Sequence, residues 1–310
     1  MTDALYCPLQ QEALLHINGP DSLTFLQGQT TCDTREVTPE RAAPGVYCTP
    51  QGRVVCDFLL SQLGAEHFAL RMRGTIQEHA AAVFGKYIVF SKADLDANRD
   101  DWQVAGVWGP DAAGVIADTF GSAPNGHWQA ISGEDFSVVQ LDTDGERFEV
   151  YFTGDASGER LSASCGAGTE TEWQALDVRA GIARIDTGLV EEFVPQTLNY
   201  DLTGHISFTK GCYTGQEVVA RLHYRGKPKR RSFVATLPAD CAAGNGDELF
   251  ANTASGSVGQ LVNPVSTESP VALAAATLDG ADSGLHVGSP DGPALRVSEP
   301  PYELDGGEEA

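Results

Sequence analysis

The sequence predicts an α+β protein with two related α/β halves, residues 1–100 and 101–231, and a small C-terminal β-barrel domain at 232–310. The halves are indicated by a repeated turn, because residues 17–21 (Ile-Asn-Gly-Pro-Asp) are echoed by residues 107–111 (Val-Trp-Gly-Pro-Asp). Each copy is typical of a strand that turns into a helix, since proline suits a first helical turn and aspartate complements the helix dipole. The barrel is indicated by short β-like runs after residue 231, separated by turn residues about every ten positions.

Hydrophobic periodicity and turn residues predict the remaining elements in order. The first half has strands at 11–17, 46–48, 54–60 and 87–90, a helix ending at Gly28 and a helix at 75–84. The second half has strands at 136–141 and 148–152 and helices at 155–164 and 170–180. The barrel runs are 233–237, 258–262, 271–278, 285–287 and 294–297, and residues 305–310 form an acidic tail that we expect to fray.

The composition excludes several classes of protein. With 310 residues and 42% hydrophobic side chains, the chain can bury ordinary cores in about two domains, which excludes collagen, coiled coils and wholesale disorder. No apolar run approaches the ~18 residues of a membrane span, and the first residues lack the pattern of a secretory signal. Seven scattered cysteines without a Cys-x-x-Cys pair are a poor disulfide framework and a poor zinc site. These features predict a cytoplasmic protein without a metal site or a membrane partner.

Charge is distributed unevenly along the chain. The formal net charge is −23, with −16 in residues 1–178, +4 in residues 179–231 and −11 in residues 232–310. The basic segment contains Arg221, Arg225, Lys227, Lys229, Arg230 and Arg231. Because the rest of the chain repels phosphate, this island is either a solvated strand end or a binding site for an anionic ligand or RNA.

Residues 193–226 carry the chemistry that sequence alone can identify. The stretch mixes amides, glycines and long charged groups with few apolar residues, and it contains the lone thiol of Cys212. A helix is predicted to open near Gly215, and a cysteine at a helix N-terminus beside Lys210 should have a favoured thiolate. Cys212 is therefore a candidate nucleophile, redox thiol or metal ligand.

Familiar catalytic and phosphate-binding signatures are absent. His205 and His223 are the histidines nearest to Cys212, and neither lies in a recognisable hydrolase signature. The sequence also lacks Gly-x-Ser-x-Gly, Gly-x-Gly-x-x-Gly and a Walker lysine loop.

Residues 210–217 (Lys-Gly-Cys-Tyr-Thr-Gly-Gln-Glu), with Arg221 and Arg225-Gly226 after them, resemble the YgfZ family of folate-binding proteins associated with tRNA modification. Further matches, in order, are residues 25–30, Gly52-Arg53, Lys86-Tyr87, Ser91-Lys92, Pro195-Gln196 and Pro301-Tyr302. The resemblance spans essentially the whole chain. Because that family is related to the aminomethyltransferase of the glycine cleavage system, the resemblance implies an aminomethyltransferase-like folate-binding fold ending in a small β-barrel.

The resemblance also implies a function and a set of site residues. It implies a cytoplasmic protein that binds tetrahydrofolate and helps to assemble or repair iron-sulfur clusters in client enzymes, including an enzyme that methylthiolates tRNA. Cys212 takes the place of the family's functional cysteine, with Lys210 beside it as the second catalytic residue. The expected folate-binding residues are Trp173, Tyr213, Gln216, Arg221 and Arg225. Where the family pattern has a second tryptophan near the N-terminus, this sequence has Glu12.

Two other functions stay open on the sequence. The first is a folate-dependent aminomethyl or one-carbon transferase, whose chemistry requires a carboxylate beside the reactive folate nitrogen. The second is a non-catalytic scaffold that uses residues 221–231 to dock an acidic partner or RNA directly.

Overall fold

The computed structural model describes residues 2–304, so the acidic tail predicted at 305–310 lies outside the described residues. The chain forms two compact units. The first consists of the residues up to Val46, Cys56–Trp173 and Thr209–Tyr213. The second consists of Tyr47–Val55, Gln174–Phe208 and the residues from Thr214 onward. Within the described part of the chain, no helix has the length and apolar character needed to cross a membrane.

The secondary structure is mixed throughout. The strands are β1 (Leu5–Pro8), β2 (Glu12–Asn18), β3 (Ala43–Cys48), β4 (Val54–Gly64), β5 (His67–Arg73), β6 (Asp94–Asp96), β7 (Trp102–Trp108), β8 (Ala130–Ser132), β9 (Phe136–Gln140), β10 (Arg147–Thr153), β11 (Gly166–Ala167), β12 (Arg230–Thr236), β13 (Glu248–Ala251), β14 (Ser257–Val265), β15 (Val271–Thr277), β16 (Leu285–Val287) and β17 (Arg296–Ser298). The helices are α1 (Ser22–Gln29), α2 (Gly74–Ile88), α3 (Ala112–Phe120), α4 (Ala156–Ser164), α5 (Glu170–Arg179), α6 (Gln216–Arg225) and α7 (Leu278–Ser283).

These strands form three sheets. One has the order β3-β4-β5-β2-β6, and a second has the order β11-β1-β7-β10-β9-β8. The third, with the order β16-β13-β14-β15-β12-β17, is the curled half-barrel at the C-terminal end. The predicted α+β fold with a small C-terminal barrel is therefore confirmed, although the sequence did not indicate β13 or α7 in the barrel, or β1, β5, β6, β8 and β11 elsewhere.

The repeated Gly-Pro-Asp turn produces the same geometry in both copies. Gly19 has φ +118° and Gly109 has φ +113°, a region that strongly favours glycine. A Cβ atom at Gly19 would lie 2.4 Å from the carbonyl oxygen of Lys92, and one at Gly109 would lie 2.2 Å from that of Asp3. Both turns therefore require glycine for backbone conformation and for close approach of another segment.

The aspartate of each turn also has the same task. Asp21 precedes α1 and accepts a 2.8 Å hydrogen bond from the backbone N–H of Lys92. Asp111 precedes α3 and accepts one of 2.8 Å from the backbone N–H of Asp3. Each carboxylate thus ties a helix start to a neighbouring segment, which supports the interpretation that the two turns are related.

The strand predicted at 87–90 is wrong. Helix α2 runs through Ile88, because Ala80, Phe84 and Ile88 continue one buried face at a spacing of four residues. Phe90 follows the helix end and is 91% exposed. The strand that pairs with β2 in this region is β6, a few residues later.

Replacing Gly109 by alanine should destabilise the protein by at least about 2 kcal/mol, because the new Cβ meets a backbone oxygen at a positive φ. Urea unfolding of the purified chain measures this change. The matched control is Gly114→Ala within α3, where a Cβ meets nothing within 4 Å and should stabilise the helix by about 0.5–1 kcal/mol. Equal free energies of unfolding for the two variants would contradict this account of the turn.

Candidate functional site

Cys212 lies in a short loop, Thr209–Tyr213, that belongs to the first unit. Its side chain is exposed, whereas Cys7, Cys32, Cys48 and Cys56 are buried and Cys165 and Cys241 are partly buried. Within the loop, Lys210 and Tyr213 are buried, whereas Gly211 and Cys212 between them are exposed. The chain therefore presents one exposed thiol between two buried anchors.

Lys210 is the first of these anchors. Its Nζ atom donates to the backbone oxygens of Gln27 at 2.7 Å and Cys32 at 2.8 Å, and also to that of Thr30. Gln27 and Thr30 lie at the end of α1, where carbonyl groups lack partners within the helix. A cation at this position also complements the negative end of the helix dipole. Burial lowers the pKa of Lys210 to about 8, so the side chain still carries its charge at neutral pH.

This geometry suits Lys210 to positioning the loop, and its catalytic role beside Cys212 stays a prediction. Its three N–H groups are engaged with the carbonyl oxygens of Gln27 and Thr30 at the end of α1 and of Cys32 just after it. The ammonium group also lies 5.2 Å from the ring centroid of Tyr213, within cation–π range. Lys210 and Tyr213 therefore hold the loop from both sides of the thiol.

Trp173 is enclosed by other side chains of the first unit and is 2% exposed. The guanidinium carbon of Arg147 lies 4.2 Å from the indole centroid, and the ring of Trp108 lies 5.7 Å away. On β7, a Cβ atom at Gly106 would come within 2.5 Å of the indole ring. The backbone oxygen of Trp173 also accepts a hydrogen bond from Arg147 at 3.4 Å. The indole thus packs against a glycine and holds an arginine in place.

Glu12, where the resemblance predicted a tryptophan, is part of a buried ionic network. Its carboxylate contacts Arg73 at 2.9 Å and Arg71 at 3.6 Å. The Glu12 side chain is 1% exposed and those of the two arginines are 8% exposed. Glu12 and Arg73 are paired directly across β2 and β5, so both project from the same face of that sheet.

The network continues into the second sheet. Arg71 Nε lies 2.5 Å from a carboxylate oxygen of Glu149 on β10, and the hydroxyl of Tyr151 donates to the same oxygen at 3.3 Å. Arg147, Glu149 and Tyr151 alternate along β10 and therefore share one face of the strand. We call Glu12, Arg71, Arg73 and Glu149 the ionic layer. The signal for it in the sequence was a glutamate at an inward position of β2, and its partners could not be identified from sequence.

A cleft of about 400 Å³ opens beside the ionic layer within the first unit. Its lining includes Glu12, Gln77, Asn98, Arg99 and Trp102. The volume lies within the ordinary range of small-molecule sites. This cleft was not predictable from the sequence, because the residues that line it come from three separate parts of the chain, within 8–14, at Gln77 and within 97–104.

Two histidines, His16 and His67, lie next to Trp102, which lines that cleft. His16 is fully buried, and its Nδ1 atom lies 2.9 Å from Nε2 of His67. Burial, followed by the nearby His67, lowers the pKa of His16 to about 4. The His16 ring is therefore neutral at pH 7 and acts as a hydrogen-bonding part of the core.

Helix α6 positions the remaining predicted residues, Gln216, Arg221 and Arg225, in the second unit. Its N-cap is Gly215 with φ +82°, where a Cβ would lie 2.5 Å from the carbonyl oxygen of Thr49. Arg221 and Arg225 are exposed and line one cleft of about 500 Å³. Gln216 is half-buried and is not among the residues that line this cleft.

The predicted site residues thus fall into three groups. Lys210, Cys212 and Tyr213 form the anchored loop, while Trp173 lies in the interior of the first unit. Arg221 and Arg225 share one face of α6. The loop presents a thiol, the interior holds paired charges beside aromatic rings, and α6 presents cations.

Comparisons with known proteins identify the fold and the family of the chain. Residues 5–156 match the family model of the GCVT N-terminal domain. The tRNA-modifying protein YgfZ of Sodalis glossinidius (strain morsitans) is 30% identical over 308 residues, covering 96% of this chain and 92% of the relative. The tRNA-modifying protein YgfZ of Klebsiella pneumoniae (strain 342) is 32% identical over 244 residues, covering 78% of this chain and 74% of the relative. The glycine cleavage system aminomethyltransferase T from Bartonella henselae matches with a TM-score of 0.77 and 16% identity, covering 96% of this chain and 85% of that structure.

The chain therefore has the fold of the glycine cleavage aminomethyltransferases, as the resemblance predicted. Within that class it carries a thiol loop whose lysine, cysteine and tyrosine are those of the predicted motif. The chain belongs to the family of the tRNA-modifying protein YgfZ.

Cys212 should be the fast-reacting thiol of the folded protein. Treatment with N-ethylmaleimide followed by mass spectrometry should give one early adduct, at Cys212, at least about tenfold faster than at any other cysteine. The reason is exposure, together with the burial that raises the pKa of Cys48 to about 12 and also raises the pKa values of Cys165 and Cys241. Cys212→Ser should remove the early adduct. An early adduct that persists in this variant would contradict the placement of the loop.

Proposed function

We propose that this protein binds a tetrahydrofolate and assists the assembly or repair of iron-sulfur enzymes, and through them tRNA methylthiolation. The observation that carries the proposal is the exposed Cys212 thiol on a loop anchored by Lys210 and Tyr213. Membership in the YgfZ family supports the link to tRNA modification, and the aminomethyltransferase fold supports a folate ligand.

Cys212 is suited to act on a partner protein and not on a buried substrate. An exposed thiol between two fixed side chains can reach an iron or sulfur atom of a client without unfolding of the loop. One thiol cannot hold a cluster alone, because clusters take several ligands. The remaining ligands must therefore come from the client enzyme. In this proposal Cys212 is a transient ligand, and Lys210 and Tyr213 are positioning residues.

The contacts of Trp173 support an indirect part for it in the proposed folate binding. Stacking of a pterin ring on this indole does not fit, because Gly106, Trp108 and Arg147 already surround a side chain that is 2% exposed. Arg147 offers the planar donor group that carboxylates prefer. We therefore assign Trp173 to positioning Arg147, and Arg147 to a carboxylate of the folate glutamate.

The alternative of a folate-dependent aminomethyl transferase makes a different demand on Cys212. Transfer to folate requires a proton-handling carboxylate and gives the thiol no necessary part. An aminomethyl-lipoyl protein supplied with tetrahydrofolate distinguishes the two functions. Turnover that survives Cys212→Ala would favour the transferase and reject the proposal.

The role of Cys212 can be tested in a bacterial strain that lacks its own relative of this protein. Expression of the parent chain should restore iron-sulfur enzyme activity and methylthiolated adenosine in tRNA. Cys212→Ala should reduce both to the level of the empty vector while the unfolding midpoint stays that of the parent, because the side chain is exposed. The matched control is Cys165→Ala, which should rescue fully. Full rescue by Cys212→Ala would reject the assignment.

The folate assignment can be tested by equilibrium dialysis with tetrahydrofolate. Arg147→Gln and Trp173→Ala should each weaken binding about tenfold, and the double variant should be no weaker than either alone, since one side chain acts through the other. Trp173→Phe should bind more tightly than Trp173→Ala because it keeps an aromatic face for the guanidinium. Trp128→Phe is the control for loss of an indole elsewhere. Parental affinity in Arg147→Gln would show that Trp173 does not act through this arginine.

A further inference from the structure

The basic island identified in the sequence is an exposed surface of α6 and the residues after it. Arg221, Arg225, Lys227, Lys229 and Arg230 all have exposed side chains. We call these five residues, together with Tyr224, the α6 surface. It lies entirely within the second unit.

The five cations of the α6 surface have no ion pairs that would tie them to the described part of the fold. None of them has an ion-pair partner among the described residues. Arg231, the next residue in the chain, shows the contrast, because it is buried and forms a 2.6 Å ion pair with Asp201. The sequence thus uses one cation of the island to hold the fold and leaves five facing solvent.

Aromatic rings accompany these cations. Tyr224 is 67% exposed, and its ring lies 4.7 Å from that of His223 in an edge-to-face arrangement. His223 in turn stacks on Phe208, with ring centroids 3.6 Å apart and planes 11° apart. Phe208 and His223 therefore support Tyr224, which offers its own ring to a ligand.

The cleft on α6 adds an apolar floor to this surface. It has a volume of about 500 Å³ and is lined by the apolar Val218 and Leu222, by Gly226 and by the two cations Arg221 and Arg225, with one carboxylate, that of Glu217, against these two cations. Val218 packs closely against Gly52, since a Cβ atom at Gly52 would lie 2.8 Å from the Cβ atom of Val218. Cations at the rim and apolar groups beneath suit a ligand that has a charged backbone and flat faces.

We propose that the α6 surface binds RNA directly, through its phosphates and at least one unstacked base. Unpaired cations attract the phosphate backbone, and an exposed aromatic ring on the same surface provides a platform for base stacking. The inference goes beyond the proposed function, in which the effect on tRNA passes through client enzymes, and it does not depend on Cys212.

RNA fits this surface better than an acidic protein segment does. Carboxylate side chains would satisfy the cations but would leave the supported ring of Tyr224 without a flat partner. The formal charge of −23 also limits the footprint, because phosphates beyond the island meet repulsion. The fitting ligand is therefore a short single strand or loop, whose bases are free to stack.

Fluorescence anisotropy of the full-length chain with a labelled single-stranded RNA of about twelve nucleotides tests the proposal. Arg221→Gln combined with Arg225→Gln should weaken binding at least tenfold. It should also reduce the slope of log K against log salt by about 1.4, since each lost phosphate contact removes about 0.7. Tyr224→Ala should weaken binding about tenfold with little change in that slope, because it removes stacking and not charge.

The matched control is Arg160→Gln combined with Arg179→Gln, which makes the same change in net charge at two exposed arginines outside the α6 surface. This control and Cys212→Ala should bind RNA as the parent does, so failure of the Cys212 proposal leaves this test intact. Three results would overturn the inference: no RNA binding by the parent, equal loss in the two double variants, or no effect of Tyr224→Ala. Labelled polyglutamate that binds through Arg221 and Arg225 but does not respond to Tyr224→Ala would assign the surface to an acidic protein instead.

Discussion

The position of the reactive thiol depends on one buried ammonium group. Lys210 donates to two carbonyl oxygens at the end of α1 and to that of Cys32 just after it, and all three acceptors lie more than 170 residues from Lys210 along the chain. Each unsatisfied buried carbonyl would cost about 1–3 kcal/mol, so the loop and the helix end stabilise each other. Because the pKa of Lys210 stays near 8, the charge that strengthens these hydrogen bonds is present at neutral pH. The loop therefore keeps Cys212 exposed without relying on the thiol for any packing contact.

A second constraint comes from the ionic layer. Arg71 contacts Glu12 from its own sheet and Glu149 from the other, so one guanidinium links the two sheets of the first unit. Buried ion pairs add little net stability, but removal of one partner is strongly destabilising because it strands the other charge. A tryptophan at position 12 would remove the carboxylate that contacts both Arg71 and Arg73. The residue at position 12 therefore depends on Arg71 and Arg73, because these buried arginines need its carboxylate.

Much of the fold followed from local sequence signals, and most of the contacts did not. The Gly-Pro-Asp turns were predictable, because backbone conformation at Gly19 and Gly109 is a local property. Cys212 was singled out by local signals as well, because it lies beside Lys210 and just before a helix predicted to open near Gly215. The partners of Lys210 and the arginine over Trp173 come from distant segments, and no local spacing indicates them. The strand expected at 87–90 failed for the opposite reason, since local β-propensity was overruled by the helical face that ends at Ile88.

The motif segment divides its cations between two tasks. Lys210 turns inward, where its charge is engaged by carbonyl oxygens, whereas Arg221 and Arg225 are exposed and form no ion pair with any acidic side chain in residues 2–304. An inward cation fixes geometry and is insensitive to salt, while an outward cation attracts phosphate over about a Debye length and is screened by salt. The thiol loop and the α6 surface therefore respond to different physical variables, although fewer than twenty residues separate Lys210 from Arg225. In the two proposals, one continuous motif therefore supplies both a thiol that acts on a partner protein and a surface that binds RNA. Substitutions within the motif can separate these two functions.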